Sequence, residues 1–197
     1  MNVLRVSVLA MFFMIIVTGC GKKVTRIQEN EMIDLSGEWN DTDSRLVAEE
    51  MIEDCLSRSW YSEYSNVNRP TVIVGTVRNK SHEHINTETF VNDMQRELIN
   101  SGKVDFVAGK SEREELRDEK KDQQVHSSEE TMKEQYREKA ADLMLKGSIN
   151  TIIDKEGKKS VKYYQVDLQL IDLESNRKVW IGSKKIKKFV KDPSARM

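Results

Sequence analysis

The spacing of apolar residues changes several times along the chain, and each change predicts a different element. Leu46, Val47, Met51, Ile52, Cys55 and Leu56 recur every three or four residues, which predicts a helix from about Thr42 to Ser57 with these side chains on one face. Thr42 or Asp41 is placed to cap its first amides, and Asp43 sits where the helix dipole favours negative charge. Ahead of it the pattern predicts a short strand around Ile33 to Leu35 and a turn through Gly37. Arg69 and Pro70 halt the chain before Thr71 to Val77, a β-branched run of the buried-strand type. Asn86 or Thr87 then caps a second helix, whose stripe is Phe90, Val91, Met94, Leu98 and Ile99. Ser101 and Gly102 end that helix, and Val104 to Val107 reads as a short strand.

The last third alternates. Leu143, Leu145, Gly147 and Ile149 share one side of a strand, as do Tyr164, Val166, Leu168 and Leu170 of the next, with Gln165, Asp167 and Gln169 facing the other way. Glu156-Gly157 and Ser175-Asn176 fall at the connections, so three strands of roughly ten residues each form an antiparallel meander. The third runs from Arg177 past Val179, Trp180 and Ile181 into Lys184-Lys185-Ile186-Lys187-Lys188. Lysine gathered on a terminal strand protects a sheet edge, and it also offers charge to anionic headgroups or an acidic partner. Between the strand-helix-strand unit and the meander lie residues 110 to 140, dense in both charge signs. They read as one or two surface helices broken near Ser127, on which Arg113, Arg117 and Lys121 line up beside Glu114, Asp118 and Asp122. The order of elements is that of an α/β (α+β) domain.

The N-terminus has another character. Arg5 is followed by Val6 to Val17, a mostly apolar run of roughly 12 residues, too short to span a bilayer and of the length of a signal segment. Val17-Thr18-Gly19-Cys20 ends it, and these residues resemble the bacterial lipobox. The resemblance implies cleavage after Gly19, a diacylglyceryl group on the Cys20 thiol and acylation, as by palmitate, of the new amine. Gly21 stands where an aspartate would signal retention in the inner membrane, which favours the outer membrane and a domain facing the periplasm. Residues 1–19 are then a signal peptide, 20–33 a polar tether, 34–192 one globular domain and 193–197 a tail. Fourteen tether residues reach about 50 Å at full extension and nearer 20 Å as a flexible coil.

Composition narrows the function classes. The net charge is −1 over 197 residues, with charged residues at 33%, so no nucleic-acid partner is indicated. With Cys20 lipidated, Cys55 has no partner within the chain and reads as a small buried hydrophobe. His82 and His84 could point to one side of a strand as a metal pair would, but the only further histidine is His126, and a zinc site needs at least three protein ligands. No glycine-rich phosphate loop and no Gly-x-Ser-x-Gly elbow occurs. No catalytic residue, cofactor or metal is assigned. Trp39 lies among turn residues at a helix entrance, where an aromatic anchors the connection or forms a binding contact. Trp39, Asn40, Thr42, Asp43 and Arg45 are therefore the candidate partner-binding residues.

The stretch from Asp34 through Gly37-Glu38-Trp39-Asn40 to Cys55-Leu56 resembles the LpoB family, as do Arg69-Pro70-Thr71-Val72-Ile73-Val74-Gly75, Val104 to Val107 and Ala141 to Gly147. These are outer-membrane lipoprotein activators of bifunctional penicillin-binding proteins. The resemblance covers nearly the whole chain from Asp34 to about Val190. It implies a mixed sheet flanked by helices, similar to the N-terminal domain of TolB, and no catalysis. It further implies docking on the accessory domain of a class A penicillin-binding protein and stimulation of peptidoglycan synthesis, and the chain is expected to be a monomer. The tether departs from the best-known members, which have a long proline-rich linker; residues 20–33 contain no proline. The alternative is a structural or secretion-related envelope lipoprotein, since curli-type export lipoproteins also resemble a TolB-like domain.

Overall fold

The computed structural model describes residues 24–191 apart from Glu29, Val67, Gln135 and Tyr136. The signal segment, Cys20 and residues 193–197 lie outside the described residues. Residues 1–31 and 32–197 form two separate units. Of the first, residues 24–28 are exposed and irregular, and Glu31 N–H closes a turn on the Gln28 carbonyl at 3.1 Å.

The second unit opens with α1 (Asp41–Leu56) and a short α2 (Ser59–Ser65), followed by β1 (Thr71–Lys80). α3 (Thr87–Asn100), β2 (Asp105–Phe106) and α4 (Lys110–His126) come next, and β3 (Leu143–Glu156), β4 (Lys159–Asp172) and β5 (Lys178–Lys191) complete it. The five strands form one mixed sheet in the order β2-β1-β3-β4-β5. β1 pairs parallel with both β2 and β3, while β3, β4 and β5 run antiparallel. This is the α+β domain expected from the order of elements.

The core lies between the sheet and two helices. α1 buries Val47, Ala48, Met51, Ile52, Cys55 and Leu56, and α3 buries Phe90, Met94 and Leu98. They meet Val72, Val74 and Val77 of β1, Leu143, Leu145 and Ile149 of β3, and Tyr164, Val166, Leu168 and Leu170 of β4. A bulge between Val74 and Val77 shifts the β1 register and keeps Val77 on the helix side. Gly147 is required at its site, because a Cβ there would stand 2.1 Å from the Asp167 carbonyl oxygen of the neighbouring strand.

Several expectations are corrected. Residues Ile33 to Leu35 form no strand; the chain bends through 35–38, with Gly37 at φ +68°. The cap of α1 is Asn40 rather than Thr42 or Asp41, and it forms a capping box with Asp43. Of the two caps expected for α3, Asn86 is the one the structure shows. Ile99 belongs to the stripe by spacing but is 54% exposed, because it lies at the helix end beyond the sheet contact. The meander strands are 14 residues long, since pairing continues into charged ends that no core requires. α4 ends before Ser127 and buries none of its residues, as its all-round charge demands.

Candidate functional site

The helix entrance singled out by Trp39 is a part-buried polar knot. Asn40 Oδ1 accepts from the Asp43 N–H at 3.0 Å, and Asp43 Oδ2 accepts from the Asn40 N–H at 3.0 Å. Lys188 reaches in from β5 and donates to Asp43 Oδ2 at 2.6 Å, to Asp34 Oδ1 at 2.7 Å and to the Glu38 carbonyl at 3.0 Å. Burial opposes the charge on the Lys188 ammonium, but its bonds to Asp34 and Asp43 outweigh that and raise its pKa. The Trp39 indole N–H donates to Ser44 Oγ at 2.8 Å, and its ring lies 5.7 Å from that of Tyr164 and 6.1 Å, edge-on, from Phe90.

Glu83 ties this knot to the sheet. It accepts from Lys162 Nζ at 2.8 Å, from the Tyr164 hydroxyl at 2.7 and 2.8 Å, and from the Trp39 N–H at 3.1 Å. Burial alone would raise its carboxyl, yet those three donors together hold it below its ordinary value. Burial and the Glu83 charge push the Tyr164 hydroxyl well up. Arg45 pairs with Glu49 at 3.2 Å along the helix, and Thr42 is half-buried. The five residues are thus neighbours in space, and the polar groups of Trp39, Asn40 and Asp43 are spent on the entrance itself.

His82 is likewise engaged, with Nδ1 2.9 Å from Thr151 Oγ1. Among the described residues no group of three His, Cys, Asp or Glu side chains is placed to hold a metal ion. Cys55 is 1% exposed, and burial, then the Asp54 charge, push its thiol up to about 12. A thiol so placed is neither nucleophile nor ligand near neutrality.

Unspent groups lie on the opposite face of the sheet. β5 divides its lysines by parity. Lys184 and Lys188 point to the helices and pair with Glu50 and with Asp34 and Asp43, as Lys162 of β4 pairs with Glu83. Lys185 and Lys187 point the other way, toward the side carrying Tyr163, Gln165 and Asp167 of β4. Arg78, Lys80 and Lys146 share that face and line a 420 Å³ concavity with Met144, Ser148 and Ile181. Among the described residues none of these five cations is in an ion pair. Phe189, Ile181 and Ile152 lie beside them, each about two-thirds exposed at 65%, 65% and 66%. The alternation of β3 and β4 is legible in the sequence, but this face is not, because its five cations come from three strands.

The domain thus has two layers, with a polar knot on the helix side of the sheet and, on its open face, five cations without an ion pair among the described residues. The chain belongs to the LpoB family, since the model of the peptidoglycan-synthase activator LpoB matches residues 43–186. Among solved structures, the LpoB C-terminal domain from Escherichia coli is 16% identical, with a TM-score of 0.47, over 74% of this chain and 99% of that one. The same domain from Salmonella enterica gives 15% identity and a TM-score of 0.46 over the same 74% and 99%. The NMR structure of E. coli LpoB gives 14% and 0.42, over 89% of this chain and 85% of that one. A search of curated proteins finds no match. Among the described residues no helix is long and apolar enough to cross a membrane.

Proposed function

We propose that this chain is a non-catalytic, monomeric lipoprotein that binds a class A penicillin-binding protein and activates its synthesis of peptidoglycan. The observation that carries the reading is the family match over residues 43–186. The internal hydrogen bonds of Glu83 and Asp43, and the burial of Asp43 and Cys55, support a role without chemistry of its own. Activation then works by population shift: the lipoprotein binds one conformation of the synthase better, and moves its equilibrium only by that difference.

Anchorage belongs to the same proposal. Cys20, lipidated after cleavage behind Gly19, holds the domain at the periplasmic face of the outer membrane, and the tether sets its reach at about 50 Å. Cells grown with labelled palmitate should yield a labelled protein, and Cys20→Ala should abolish the label and move the protein to the soluble fraction. The activator reading is tested by direct binding of the purified mature protein to each class A synthase of its organism in detergent. Micromolar or tighter binding to one of them is expected, and binding to none would refute it.

A further inference from the structure

The open face of the sheet is lopsided in charge. Its centre carries Arg78, Lys80, Lys146, Lys185 and Lys187 against one carboxylate, Asp167, which already accepts from Gln165 Nε2 at 2.9 and 3.0 Å. At the far end of the β3–β4 hairpin, Asp154 and Glu156 balance Lys159 and Lys191. The chain as a whole is at −1, so the rest of the molecule is net acidic. Lysines turned toward the helices are matched by Glu83, Glu50, Asp34 and Asp43, whereas those turned outward have no such partner among the described residues. A protein that pairs its cations on one side of a strand and leaves the next ones bare presents a field for a partner to complete.

The apolar groups lie in register with that charge. Ile152 pairs with Tyr163, and Tyr163 with Lys187; Val161 pairs with Phe189; Gln169 pairs with Ile181. Ile152, Tyr163, Val161 and Phe189 make one patch at one end of the face, and the 420 Å³ basin between Arg78 and Lys146 occupies the other. Exposed aromatic and aliphatic side chains can serve as desolvated anchors that give affinity, while the arginine and lysines around them supply charge for steering and selection.

We infer that the open face is the docking surface, and that its occupant is an acidic protein surface. Carboxylates of the partner enter the basin of Arg78, Lys80 and Lys146, and an apolar segment lies on Ile152, Tyr163 and Phe189 beside Lys185 and Lys187. This rests on the activator reading and deepens it, since it states the chemistry that the synthase must present.

The test uses the full mature lipoprotein in detergent, titrated against its synthase, with half-maximal stimulation as the readout. Arg78→Glu with Lys146→Glu, and separately Lys185→Glu with Lys187→Glu, should each raise the required concentration about tenfold, from the worth of a few partly exposed charge pairs. The neutral pair Arg78→Gln and Lys146→Gln guards against misfolding, and should give a smaller shift in the same direction with an unchanged melting temperature. Raising the salt should weaken the unaltered protein more than the charge-reversed forms. Reversal of Lys120 and Lys121 on α4 should change nothing.

Stimulation by the unaltered protein that persists undiminished in both reversed forms overturns the docking surface and leaves the activator reading standing. Stimulation of no synthase by the unaltered protein overturns that reading, and the docking surface with it. If reversal matters only when phosphatidylglycerol is added to the micelles, the face binds lipid and the inference fails.

Discussion

Glu83 holds the helix entrance to the sheet, because one carboxylate joins Lys162, Tyr164 and the Trp39 backbone. Lys162 and Glu83 are 14% and 11% exposed, so solvent screens the pair little. Glu83→Gln should therefore destabilise the domain by about 2 kcal/mol, measured by urea unfolding. Its folded-state pKa lies below the ordinary 4.5, so its contribution is present in full above that value and fades as pH falls through the folded value. Lys188 is shifted upward, and its contribution persists below about 10.5 and fades in stronger alkali. The Gln variant should lose less stability than the unaltered chain between pH 7 and pH 3. Equal losses would show that Glu83 is not the group being protonated. Cys55 should resist thiol reagents in the native domain and react only on unfolding, since its thiol is buried and raised to about 12. Helical spacing alone placed Cys55 in the core. Nothing local marked Glu83, whose partners lie 44, 79 and 81 residues away.

Elements with a long apolar period were legible, and those decided by tertiary contact were not. α1, α3 and the three strands of the meander follow their spacing closely. α2 went unread because seven residues give too little periodicity; Trp60 pins it, buried and donating its indole N–H to the Cys55 carbonyl at 2.7 Å. The true cap, Asn40, stands one residue ahead of the two expected. Thr42 and Asp41 are also capping types, and the capping box that Asn40 forms with Asp43 is what sets it apart. In the same way, Lys184 to Lys188 read as an edge-protecting block, yet the pleat gives alternate lysines opposite tasks. The β3–β4 pairing is tightly constrained at Gly147. Gly147→Ala forces a Cβ against backbone as well as against Leu168 Cδ2 at 2.6 Å, so the strands must part. A loss of about 2 kcal/mol or more is expected in thermal or urea unfolding. A stability within about 0.5 kcal/mol of the unaltered domain would show that the register adjusts freely.

At the scale of the whole molecule, the sheet pairs Lys162, Lys184 and Lys188 on its helix side and leaves Arg78, Lys80, Lys146, Lys185 and Lys187 of its open face without an ion pair among the described residues. The family match over residues 43–186 is that of a peptidoglycan-synthase activator, and the binding role proposed above rests on it. The sequence made the family resemblance legible through the residues of α1, the start of β1 and the start of β3. It did not reveal the open face, which exists only once three strands are in register. Under the proposed anchorage at Cys20, reach is the remaining physical constraint, since the 14 residues from 20 to 33 would extend about 50 Å at most. On that proposal a synthase partner has to project toward the outer membrane, or the envelope has to be narrow. The most direct measurement is the rate of glycan polymerisation by a purified class A penicillin-binding protein of the same organism, with and without the mature lipoprotein in detergent. A severalfold, saturable increase at micromolar concentration is the expected result. An unchanged rate with every such synthase of the organism would contradict the account.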